Sequence, residues 1–145
     1  MSRKVVIAGA SGRMGRALIE AVTAAPDLRL FAALERAGSP FVGRDAGELV
    51  GAPAQAIIHD DLDGALAGAQ VLIDFTRPEA TFAHIEACRR HRVAMVIGTT
   101  GFDAAGKAAI AEAAKDIPIV FAPNMSVGVN LVFKLLDIAS RVLDE

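Results

Sequence analysis

Residues 9–15, Gly9-Ala10-Ser11-Gly12-Arg13-Met14-Gly15, constrain this 145-residue chain more than any other segment. They follow a short apolar, β-branched run, Lys4-Val5-Val6-Ile7-Ala8, and lead into a stretch from residue 13 to 25 that carries helical signals and stops at Pro26. Strand, glycine turn and helix in that order let a pyrophosphate lie against backbone N–H groups at a helix N-terminus, because no Cβ blocks the approach. The third glycine lets helix and strand pack closely. With 13 glycines in the chain the triplet alone is weak, and its context decides.

The rest of the chain repeats the alternation. A second strand is expected over residues 28–34, closed by Glu35-Arg36, followed by a loop over residues 37–53 that holds four glycines and two prolines. Residues 55–59 read as a third strand, 62–67 as a short helix and 71–75 as a buried fourth strand. Pro78 suits a first helical position, with Thr76 or Arg77 before it, and that helix runs to about His91. Residues 93–97 form a fifth strand, Asp103 caps a helix reaching Ala114, residues 117–121 form a sixth strand before Pro123, and a last helix starts near Ser126. Strands joined by helical crossovers predict an α/β fold of Rossmann type, a mostly parallel sheet with helices on both faces. An alanine-rich chain without Trp or Tyr suits helices packed closely on a sheet.

If the strands are parallel, Gly9, Glu35, Phe75-Thr76, Gly98-Thr99-Thr100 and Ala122-Pro123-Asn124 all lie past carboxyl ends of strands, on the edge where open α/β sheets bind ligands. Glu35 stands where an acid accepts bonds from the adenosine ribose hydroxyls. Arg36 and Arg13 offer cations for a 2′-phosphate, so both NAD and NADP should be tolerated. Gly98-Thr99-Thr100-Gly101 supplies small residues and two hydroxyls, as a flat ring and a ribose would need.

Other patterns are set aside. Gly101-Phe102-Asp103-Ala104-Ala105-Gly106-Lys107-Ala108 approaches a triphosphate-binding loop, but Ala108 lacks the hydroxyl that would hold Mg²⁺, and Lys107 is expected on a helix surface. His84, Cys88 and His91 recur at helical spacing and read as a polar face rather than a metal site. His59 has no nucleophile to pair with. A net charge of −2 without a basic run argues against nucleic acid. The lone Cys88 excludes an internal disulfide, and the apolar run after Met1-Ser2-Arg3-Lys4 is too short for a signal peptide or a membrane span, so a cytoplasmic location is expected.

These segments resemble the 4-hydroxy-tetrahydrodipicolinate reductase (dihydrodipicolinate reductase) family of lysine and diaminopimelate biosynthesis. The matching stretches are Gly9 to Gly15, Ala32-Ala33-Leu34-Glu35-Arg36, Ile73-Asp74-Phe75-Thr76-Arg77-Pro78-Glu79, Val96-Ile97-Gly98-Thr99-Thr100-Gly101-Phe102 and Ala122-Pro123-Asn124-Met125-Ser126-Val127-Gly128-Val129-Asn130, in the family's order. The resemblance implies an oxidoreductase that takes hydride from NADH or NADPH. It also implies that Gly9, Ala10, Ser11, Gly12, Arg13 and Met14 hold pyrophosphate, Glu35 the ribose and Arg36 a 2′-phosphate. Gly98, Thr99, Thr100, Ala122, Pro123, Asn124 and Met125 would line the nicotinamide end. Family members continue into a second domain whose His-His and Lys motif supplies the general acid and most contacts to a dicarboxylate substrate, and whose sheet builds a homotetramer. No His-His pair occurs in this chain. The expectation is therefore a dinucleotide-binding domain over residues 1–145, with no catalytic residue of its own and little turnover alone. Leu131, Val132, Leu135, Leu136, Ile138, Ala139, Val142 and Leu143 cover two adjoining stripes of the last helix, so part of that surface expects a partner. The competing reading is a non-catalytic nucleotide-sensing module of the same fold.

Overall fold

The computed structural model describes residues 2–143. Six strands alternate with helices: β1 Arg3–Ala8, α1 Arg13–Ala24, β2 Leu28–Leu34, β3 Ile58–His59, α2 Leu62–Leu66, β4 Val71–Asp74, α3 Pro78–His91, β5 Ala94–Ile97, α4 Ala104–Ala113, β6 Ile119–Phe121 and α5 Val127–Leu143. All pairings in the sheet are parallel, in the order β3-β2-β1-β4-β5-β6. This is the Rossmann arrangement expected from the sequence, and its reversal of strand order falls between β1 and β4.

Because side chains alternate along a strand, each central strand feeds two cores. Val6, Ala8, Leu72, Met95 and Ile97 pack with α2, α3 and α4 on one face, whereas Val5, Ile7 and Ala33 pack with Ile19 and Val22 of α1 on the other. The phase of β2 changes midway. A bulge between Val5 and Val6 shifts the register of β1 against β2, so that Leu30 faces the α1 core while Ala32 faces the opposite one.

The fourth, fifth and sixth strands are each one or two residues shorter than expected, and three larger features differ. The third strand keeps only two residues, since Gln55 adopts a left-handed backbone at φ 55° and breaks the run. The long loop contains a 3-10 turn, Ala46–Leu49, capped by the Asp45 carboxylate, which accepts from the Gly47 amide at 2.7 Å. The helices are also unevenly shared between the faces. On the α1 side, cover ends near β4, and Val120 on β6 is 58% exposed. The last helix, α5, has no buried residue among those described.

Candidate functional site

Parallel pairing brings Ala8, Leu34, Asp74, Ile97 and Phe121 to the same end of the sheet, so the loops that follow them share one edge. Above the β1–β4 reversal lies a cavity of about 640 Å³, lined by Gly9, Ser11 and Gly12 on one side, Glu35, Arg36 and Asp60 on the next, and Phe75, Thr76, Arg77 and His84 opposite. The walls come from the loops after β1, after β2 and β3, and after β4, with His84 added from α3.

The glycine turn is built for close approach. A Cβ on Gly15 would overlap the carbonyl oxygens of Gly9 and Ala10, so α1 can enter against β1 only without a side chain there. The amides of Gly9 and Ala10 donate to the Leu34 carbonyl, and that of Gly12 to the Gly9 carbonyl. Gly12, at the N-cap, has no side chain to serve α1, and the Arg13 and Met14 amides find no acceptor among the described residues. The Ser11 amide donates to Glu35 Oε1 at 2.7 Å. A carboxylate therefore already sits on this loop, and the unpaired N–H donors of Arg13 and Met14 beside it suit an anionic ligand.

Arg16 braces the turn from behind. Its Nε donates to the Ser11 carbonyl at 3.1 Å and its Nη1 to the Leu49 carbonyl at 2.8 Å, tying the loop to the 3-10 turn. Nothing in the sequence flags this pairing, because Leu49 lies far along the chain.

Asp74 organises the opposite wall. It is fully buried at the end of β4; its Oδ1 accepts from the Thr76 amide at 3.0 Å, from Thr76 Oγ1 at 2.6 Å and from Thr99 Oγ1 at 3.2 Å. Its Oδ2 accepts from His84 Nδ1 at 2.8 Å. Burial works against ionisation, but the hydrogen bond and charge of His84, with the Thr76 hydroxyl, outweigh it and hold the Asp74 carboxyl below the ordinary range. The sequence carried a signal for this network, a carboxylate closing the apolar run Val71-Leu72-Ile73, which a core accepts only with partners.

The expected site residues take different positions. Gly9, Ser11, Gly12, Glu35 and Arg36 line the cavity, with Arg13 and Met14 exposed on the first turn of α1 beside it. Ala10 is fully buried, so only its backbone takes part. Gly98 lies under the Phe75 ring, which a Cβ there would overlap. Of the two hydroxyls expected to be free, that of Thr99 is turned inward to Thr76 and Asp74, and Thr100 alone is exposed. Ala122, Pro123, Asn124 and Met125 follow β6 on the same edge, outside the cavity lining, with Asn124 Oδ1 accepting from the Ser126 amide at 2.8 Å.

The residues set aside also find places. Lys107 is exposed on α4, and Gly106 packs inside that helix against Phe82. The polar face expected of His84, Cys88 and His91 does not exist as such. Cys88 is buried in the core, which pushes its thiol up to about 12 and leaves it no nucleophile, while His84 bonds Asp74 and His91 bonds Asp63. Among the described residues no cluster fit for a metal is found, and no helix is long and apolar enough to cross a membrane.

Comparison with known proteins agrees with this architecture. The family pattern described as "Dihydrodipicolinate reductase, N-terminus" matches residues 3–125. The chain is 65% identical over 142 residues to a 4-hydroxy-tetrahydrodipicolinate reductase of Laribacter hongkongensis, covering 98% of this chain and 53% of the relative. It is 60% identical over 141 residues to that of Nitrosospira multiformis, covering 97% and 52%. A dipicolinate-bound dihydrodipicolinate reductase from Paenisporosarcina sp. TG-14 shares the fold, with a TM-score of 0.77 at 24% identity over 97% of this chain and 54% of that one. The chain thus spans about half the length of the curated relatives it matches. With most of its residues inside that pattern, the chain belongs to the dihydrodipicolinate reductase family.

Proposed function

We propose that this chain binds NADH or NADPH across the carboxyl edge of its sheet and orients the nicotinamide for reduction of 4-hydroxy-tetrahydrodipicolinate to tetrahydrodipicolinate. The observation that carries the reading is the cavity that joins the glycine turn, beside the unpaired Arg13 and Met14 amides, to Glu35 and Arg36. When bound, the nicotinamide supplies the hydride. The residues of this chain hold and aim it. The Arg13 and Met14 amides face the pyrophosphate, with Gly9 and Gly12 leaving room for it; Ala10 and Ser11 contribute their backbone to the same turn, the Ser11 amide being held by Glu35. Glu35 accepts from the adenosine ribose hydroxyls, and Arg36 with Arg13 meets the 2′-phosphate of NADPH. Gly98, Thr99 and Thr100, together with Ala122, Pro123, Asn124 and Met125, form the nicotinamide end. Proton donation and the contacts to the substrate's carboxylates are assigned to residues outside this chain, as is tetramer formation.

Titration of the chain with NADH and NADPH, followed by nicotinamide fluorescence, tests the reading. One saturable site for each is expected, with negligible turnover of substrate. Absence of saturation with either would overturn it.

A further inference from the structure

The Asp74–His84 pair has one feature that its structural role leaves unused. A carboxylate has no proton to give, so the 2.8 Å bond to Asp74 Oδ2 places the hydrogen on His84 Nδ1. The ring's other nitrogen, Nε2, makes no hydrogen bond among the described residues, yet it is not sealed from solvent: His84 lines the cavity, its side chain is 13% exposed, and no buried side-chain nitrogen lacks a partner. An imidazole fixed at one nitrogen and open at the other is an aimed group.

We propose that His84, held by Asp74, is a further cofactor-binding residue whose protonated Nε2–H grips a phosphate oxygen of the dinucleotide, so that affinity rises as the ring takes up a proton. This rests on the reading that the cavity takes a dinucleotide. The glycine turn supplies donors from the β1 side and His84 from the α3 side of the same cavity, and a pyrophosphate presents oxygens to both.

The other charged groups around this ring are accounted for. Glu35, Arg36 and Asp60 face the cavity from beyond β2 and β3, and Arg77 from the N-cap of α3. Cys88, one turn along α3, is buried with its thiol pushed up to about 12. On α2, Asp63 is taken by Arg90 and His91; Phe82 of α3 packs against Phe102 ahead of α4 and against Gly106 within it, with Lys107 exposed. Among the classes of side chain lining the cavity, imidazole alone ordinarily changes charge between about pH 6 and pH 8.

The test is calorimetric titration of the chain with ADP-ribose at the two ends of that range. Its diphosphate keeps its charge there, unlike the 2′-phosphate of NADPH, and adenosine serves as the phosphate-free control. ADP-ribose is expected to bind about tenfold tighter at the lower pH, and adenosine equally at both. His84→Asn, whose amide still reaches Asp74 from the place of Nδ1, should keep its thermal stability and lose the pH dependence. His84→Gln, whose amide nitrogen falls near the place of Nε2, should bind ADP-ribose more tightly than His84→Asn, without pH dependence. A flat profile in the unaltered chain, or an unchanged one in His84→Asn, would overturn the assignment while leaving NADH binding intact. Failure to bind either NADH or ADP-ribose at both pH values would instead bring down the dinucleotide reading, and this assignment with it.

Discussion

The crevice between β1 and β4 and the helix α5 stand at opposite extremes of commitment. Around the crevice, polar atoms are paired across long stretches of chain: Ser11 with Glu35, Arg16 with Leu49, Asp74 with His84 and Thr99. Along α5, Leu131, Val132, Phe133, Leu135, Leu136 and Ile138 are each at least half exposed, and the β6 flank of the sheet beside Val120 is similarly bare. The difference teaches where this fold is complete. The polar network of the crevice is closed within the described residues, whereas the apolar surface of α5 and β6 expects cover that they do not provide.

The contrast can be broken or sharpened by substitution. Largest should be Gly15→Ala, whose methyl would press on the Gly9 and Ala10 carbonyls; it should cost about 3 kcal/mol in thermal unfolding and remove NADH binding. Asp74→Ala leaves the Thr76 hydroxyl and the His84 ring without their acceptor and should cost about 2 kcal/mol. The same residue makes a pH prediction. A carboxyl held low in the folded state adds stability that is present above its unfolded value and fades as pH falls through the folded one. The stability gap between the unaltered chain and Asp74→Asn should therefore narrow below about pH 4 in denaturant titrations.

Smaller, and selective, are the changes at the mouth of the cavity. Glu35→Ala should weaken NADH about tenfold and NADPH less, and Arg36→Ala should do the reverse; equal losses would contradict the roles given to them. Smallest should be Leu131→Glu with Leu135→Glu on α5. Thermal stability should move by less than about 0.5 kcal/mol, because neither side chain is buried. A large loss of stability there would show that α5 is packed after all.

How much of this could be read from the chain follows the range of each interaction. Strand, turn and helix around Gly9 to Gly15 are set by neighbours in sequence, and the bounds of β2 and α3 emerge as the residue pattern predicts. The third strand does not, because the backbone at Gln55 turns left-handed where the side-chain pattern still reads as extended. Glu35 was legible as a strand-end acid. Its bond to the Ser11 amide, the brace from Arg16 and the inward turn of the Thr99 hydroxyl were not, since each depends on segments that only the folded sheet brings together. His84 and Cys88 show the same limit on one helix: spacing placed them on a common face, but packing sends one to the cavity and the other into the core.

The central claim is that the glycine turn and Glu35 form the seat of a nicotinamide dinucleotide. Amide chemical shifts of the labelled chain during NADH titration test it most directly. The account predicts saturable shifts greatest at Gly9, Ser11, Gly12, Arg13, Glu35 and Arg36, with α5 unmoved. Shifts centred instead on the separate hollow lined by Asp45, Gly47, Glu48 and Pro53, or no saturable shift at all, would contradict it.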